Sequence, residues 1–175
     1  MNKISTLKLY RENVSLFRAG LLFAFFATAF MVAITSDYMQ DGPIKQFSAT
    51  LSHIAVGIIR LWEPVATATG TVVSSPRFSI RIVNGCNGVE VTSLLIAAIL
   101  ATPVPWKKRV AGIAIGSALI YVLNLFRIII LFAIGSHYSM EVFDFFHIYI
   151  FQTVVVLIPV AFFLGWIGPV SAEEK

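Results

Sequence analysis

Arg81-Ile82-Val83-Asn84-Gly85-Cys86-Asn87-Gly88-Val89-Glu90-Val91 sets a polar, turn-rich segment directly before a long apolar run, and it holds the only cysteine of the chain. Asn84-Gly85 and Asn87-Gly88 mark tight backbone turning on either side of the thiol. The apolar run from Val91 onward predicts a helix beginning within a residue or two, which puts Cys86 at a helix N-terminus. Unpaired N–H groups and the positive end of the helix dipole favour an anion there, a thiolate included. The alternative is a buried thiol acting as a small hydrophobe, but a packing cysteine belongs inside an apolar segment and not in a glycine-rich turn.

The rest of the chain says what kind of helix this is. Over 175 residues the sequence is 58% hydrophobic, with a mean hydropathy of +0.85. That is too apolar for a soluble domain, and several uncharged runs reach membrane-spanning length. The predicted class is an all-α multi-pass membrane protein built as one domain over residues 1–175. The net charge of +4 is not a nucleic-acid signal. Its cations gather at Lys3, Lys8, Arg11 and Arg18 and again at Lys107-Lys108-Arg109, the pattern of cytoplasmic flanks.

Four spans are predicted, at residues 19–36, 89–104, 110–134 and 148–167. The basic flank of the first places the N-terminus in the cytoplasm. A cleaved signal peptide is the alternative, but Ile34-Thr35-Ser36-Asp37-Tyr38 offers no small-x-small cleavage pattern. After a polar turn at 37–43, Ile44, Phe47, Leu51, Ile54, Ile58 and Leu61 recur at helical spacing, predicting an amphipathic helix over 44–62 that lies in the outer membrane surface or packs on the bundle. A further, irregular span through Ile54 to Leu61 is the competing expectation. Residues 66–83 change period: Thr67, Thr69, Thr71 and Val73 alternate, Ser74-Ser75-Pro76 turns, and Phe78, Ile80 and Ile82 alternate again. This predicts a small extracytoplasmic β-hairpin, with an irregular loop as the alternative. Pro103 and Pro105 close the second span, and Trp106-Lys107-Lys108-Arg109 is a cytoplasmic connection. The segment 135–146 carries Glu141 and Asp144 but no Lys or Arg and is assigned outside, so the tail 171–175 returns to the cytoplasm.

With this topology Cys86 and His147 lie at the outer mouths of the second and fourth spans. Arg127 lies about 17 residues, or roughly 26 Å, along the third, in a core about 30 Å thick. Thiol, imidazole and guanidinium then share one depth near the outer surface. An arginine inside a span costs at least about 2.5 kcal/mol and needs a partner or polar cavity, unless it snorkels to the headgroups. Asn124 and Ser117 lie on the same side of that helix as Arg127. His147 opens a helix beneath Phe143, Phe145 and Phe146, with His137 as its rival; His53 has no companion ligand and no assigned role. Glu90 and Ser93 follow Cys86 at helical spacing as candidate cavity residues, though Glu90 also suits a helix first turn.

Asn84-Gly85-Cys86-Asn87-Gly88-Val89-Glu90, then Asn124-Leu125-Phe126-Arg127, then His147 entering the last helix resemble the three signature blocks of the exosortase/archaeosortase family, over roughly 69–166. The short length and the run His147-Ile148-Tyr149-Ile150-Phe151-Gln152 look most like the exosortase H branch. Larger members carry more spanning helices at the front. The resemblance implies a cysteine protease/transpeptidase in the bacterial inner membrane, with its site at the periplasmic face and Cys86, Arg127 and His147 catalytic. Asn124, Glu90 and Asn84 are the expected supporting residues. It implies a protein substrate with a C-terminal motif, a spanning helix and a basic cluster, alongside membrane lipid. No cofactor and no metal is expected. A small transporter or channel subunit using Arg127, or a non-catalytic membrane assembly factor, are the alternatives.

Overall fold

The computed structural model describes residues 3–173, with side chains from Leu16 to Gly168; the side chains of Lys3, Lys8 and Arg11 and the end of the tail lie outside the described residues. The chain is an all-α multi-pass membrane protein carrying one small sheet. Its helices are α1 (Lys3–Ile34), α2 (Asp37–Met39), α3 (Lys45–Ile59), α4 (Val89–Ala101), α5 (Trp106–His137), α6 (Met140–Asp144) and α7 (Gln152–Glu173). Two π-helical stretches, Gln40–Ile44 and Phe145–Phe151, lead into α3 and α7. Among the described residues three helical stretches are long and apolar enough to cross a membrane, Leu16–Ile34, Trp106–His137 and Met140–Gly168, and Val89–Ala101 is a shorter apolar helix.

The boundaries differ from the sequence expectation for local reasons. The segment 89–104 is helical only to Ala101, because Pro103 and Pro105 lack the N–H groups that would extend it. Its 13 residues make a rod of about 20 Å, short of the hydrocarbon core. Trp106 to Arg109 is not a loop but the first turn of α5, and Arg109 Nη2 donates to Thr102 O at 3.0 Å, closing the C-terminal end of α4. The outer loop expected over 135–146 is also absent as a loop. α5 runs to His137, only Tyr138 and Ser139 intervene, and α6 with the following π-helical stretch carries the chain into α7. In place of a polar turn at 37–43 stand α2 and a π-helical turn, where Gln40 Nε2 bonds Ile34 O at 2.6 Å and satisfies the end of α1.

α1 packs along α4, which in turn lies against α5 and α7. Leu95, Ile99 and Ile120 bury at that junction, with Phe162, Phe163 and Trp166 of α7 closing over them. α5 has 32 residues and is about 48 Å long, more than the roughly 30 Å core requires. Its second half is sheathed by a cap made of α3 and the sheet. Ile128, Ile129 and Phe132 of α5 pack there against Leu51, Ala55, Val56 and Ile59 of α3 and Val73 and Ile82 of the sheet.

α3 buries a different stripe from the one its large apolar residues suggest. Ser48, Leu51, Ser52, Ala55, Val56 and Ile59 face inward, while Ile54 and Ile58 are exposed and Leu61 is 82% exposed beyond the helix end. Ser48, Ser52 and Ala55, the small side chains in that stripe, let the helix approach its neighbours closely around Leu51, Val56 and Ile59. Ser52 Oγ donates to Gly70 O at 2.6 Å and Arg60 Nε to Ala66 O at 2.8 Å, fastening α3 to the sheet.

The sheet has three strands where a single hairpin is predicted. β1 (Thr67–Thr69), β2 (Val72–Ser74) and β3 (Ser79–Arg81) form an antiparallel meander in the order β1-β2-β3. The extra turn lies at Gly70, whose φ of 57° breaks what the sequence presents as one alternating run.

Candidate active site

The turn from Ile82 to Gly88 is held on three sides. Asn124 Nδ2 of α5 donates to Cys86 O at 2.9 Å. Gly85 N–H donates to Glu90 Oε1 of α4 at 2.8 Å. Asn87, with no exposed surface, donates from Nδ2 to Ser48 Oγ of α3 at 3.2 Å and accepts Val89 N–H on Oδ1 at 3.1 Å. The chain then enters α4 through Gly88, whose φ of 81° only glycine adopts at little cost. A polar bond to each neighbouring helix fixes where Cys86 sits, and the buried one, Asn87 to Ser48, would cost about 1–3 kcal/mol to leave unpaired.

Cys86 is partly buried, and Arg127 Nη2 lies 3.8 Å from its sulfur, a charge-assisted contact to Sγ. Arg127 is only 2% exposed, so it does not snorkel to a headgroup; its guanidinium stays inside against the thiol. His147 sits in the π-helical stretch Phe145–Phe151, not at the opening of a helix as its sequence position suggests. π-helical stretches recur at functional sites, where the inserted residue re-aims side chains. The imidazole stacks on Phe143, with ring centroids 5.6 Å apart and planes 8° from parallel, and its buried Nδ1 has no hydrogen-bond partner among the described residues.

Cys86, Arg127 and His147 line one cavity of about 290 Å³, together with Phe78 to Val83, Ile128, Leu131, Met140 and Phe143. Three elements distant in sequence therefore bring a thiol, a guanidinium and an imidazole to one space. Arg18 and Arg109 line a separate recess at the other end of α4, beside Thr102.

Other expected site residues lie elsewhere. Asn84 is exposed and borders an adjoining recess with Asp41 and Lys45; that recess shares Arg81 to Val83 with the thiol cavity, which Asn84 itself does not line. Glu90 and Ser93 do not line that cavity: Glu90 braces Gly85, and Ser93 Oγ bonds Val89 O at 2.9 Å. Asn124 is buried and acts on the cysteine backbone. His137 bonds Ala133 O within its own helix and lines a different depression, and His53 is exposed. Asn87 and Ser48 were not legible as site residues. Asn87-Gly88 reads as a turn signal alone, although Ser48 shares the i, i+3, i+4 stripe of Leu51 and Ser52. Among the described residues no three His, Cys, Asp or Glu side chains gather as a metal site.

A family model described as transmembrane exosortase matches residues 14–167. The chain belongs to the transmembrane exosortase family. No curated protein and no solved structure matches it. The match spans every element that lines the cavity of this exosortase, from β3 through the π-helical stretch around His147. Its helices and its family together make it an integral membrane protein.

Proposed function

We propose that this exosortase is a cysteine protease/transpeptidase that cuts membrane-anchored exported proteins, with Cys86 as nucleophile, His147 as proton donor and Arg127 as oxyanion partner. One observation carries the proposal: the sole thiol shares a cavity with a buried guanidinium and a partnerless imidazole nitrogen. Attack of the Cys86 thiolate on a peptide carbonyl forms a carbon–sulfur bond and moves the carbonyl electrons onto oxygen, where Arg127 meets the new charge. Collapse of that intermediate breaks the carbon–nitrogen bond as His147 gives a proton to the leaving amine. The thioester is then released to water or to an amine acceptor.

The substrate class follows from where the site is. A cavity walled on one side by the sheet and on the other by helices long enough to span a membrane suits a chain whose own helix crosses the bilayer beside it. The proposed substrate carries a motif on the periplasmic side, one spanning helix, and a Lys/Arg cluster in the cytoplasm that fixes its depth. Holding the bond at the level of Cys86 makes the encounter nearly unimolecular, an advantage of up to several kcal/mol. The test is processing of such a reporter in membranes, read by mass, with Cys86→Ala and Cys86→Ser beside the wild type. Loss of product in both supports the enzyme; undiminished processing with Cys86→Ala overturns it. A transporter or scaffold role for Arg127 predicts that neither substitution matters.

A further inference from the structure

Six consecutive residues, Phe78 to Val83, border the cavity that holds the thiol. Side chains along a strand alternate between the faces of a sheet, so a cavity touching all six runs along the edge of β3 and not over one face. β3 is an edge strand of the meander, with β2 on its other side.

The register shows which backbone groups face that edge. Ile82 N–H donates to Thr71 O and Ser75 N–H donates to Phe78 O, both at 2.8 Å. Between these two bonded pairs the ladder places Val72 opposite Arg81, Val73 opposite Ile80 and Ser74 opposite Ser79. Bonded and non-bonded pairs alternate in an antiparallel ladder. Ile80 therefore bonds β2, whereas Ser79 and Arg81 turn their N–H and C=O groups away from it, toward the cavity side. Among the described residues no other backbone group bonds them.

We propose that the substrate is held by strand addition: an extended segment pairs with Ser79 and Arg81 on the free edge of β3 and is thereby drawn past the Cys86 thiol. The inference rests on the peptide-processing function proposed above and names how that site takes its substrate. Main-chain pairing supplies affinity largely independent of sequence, and alternate side chains of the added strand supply selectivity. Ile128, Leu131, Met140 and Phe143 make the cavity's other walls apolar, so the segment carries apolar side chains at the alternate positions that meet them. The segment must be extended where it is cut; a helix satisfies its own backbone groups and has none to offer the edge.

The probe is a membrane-anchored reporter with an outer segment, one spanning helix and a Lys/Arg cluster. Proline removes an outward N–H from an edge strand without touching the ladder. Ser79→Pro should process the reporter at least about fivefold less efficiently than Ser79→Ala, through KM, the loss of one backbone bond. Equal efficiency of the two variants would count against pairing at that residue. Amide exchange on the full-length Cys86→Ala protein avoids any change to the strand: saturating reporter should slow exchange at Ser79 and Arg81 by about tenfold or more and leave Ile80, already bonded, little changed. Unchanged exchange at both residues, with the reporter bound, overturns strand addition. That readout does not need catalysis, so it decides the binding mode separately from whether Cys86 is the nucleophile.

Discussion

At the residue scale, Cys86, Arg127 and His147 face the cavity, whereas Asn124, Asn87 and Glu90 hold the turn that carries the thiol. Cys86→Ala, Arg127→Ala and His147→Ala are each expected to lower reporter processing by about 100-fold or more while the protein stays in the membrane. His53→Ala and His137→Ala, both outside the cavity, should stay within about twofold. Arg127→Lys should also be poor, because lysine lacks the planar fork that serves two acceptors at once. Loss of function on His137→Ala but not on His147→Ala would reassign the acid. Asn87→Ala leaves Ser48 Oγ and Val89 N–H without their partner and should cost about 1–3 kcal/mol in unfolding free energy. Cys86, Arg127 and His147 were legible because each is chemically out of place: a thiol in a turn, a cation in a span, an imidazole among phenylalanines. Asn87 is a turn residue in an ordinary place, and only its burial separates it from Asn84.

At the element scale, hydropathy located the long helices but not where they stop. Length comes from groups that hydropathy ignores, such as the prolines after α4 and the cap of α3 and sheet, which buries the second half of α5 and lets that helix run longer than the hydrocarbon core requires. The cap itself was legible as a period change. Its fit against α5 was not, since it depends on small residues. A Cβ at Gly135 would run into the tip of the Phe78 ring, which Phe132 and Phe143 flank, so Gly135→Ala should displace that ring from the cap and destabilise the protein by about 1–3 kcal/mol. Gly88→Ala meets the strain of a φ of 81° and should cost on the order of 1–3 kcal/mol. Both changes are checked by equilibrium unfolding in mixed micelles. A wild-type midpoint for either variant would mean that the turn or the cap is looser than the packing described.

At the scale of the whole molecule, the thiol cavity and the recess of Arg18 and Arg109 occupy opposite ends of α4. If the basic end faces the cytoplasm, as the positive-inside rule requires, the site faces the periplasm. Reporter fusions at Ser139 should therefore be active only outside the cytoplasm; a cytoplasmic signal there would invert the proposed site. Substrate depth follows from the same frame. Lengthening the reporter's spanning helix by about four residues moves its motif by about 6 Å and should slow cleavage strongly. The central claim is tested most directly on the thiol itself, because Cys86 is the only cysteine in the chain and its alkylation is site-specific without mutation. Processing should fall in proportion to the fraction of Cys86 modified by a maleimide, to about 1% or less when modification is complete. Fully alkylated protein that still processes the reporter at the unmodified rate would contradict the account.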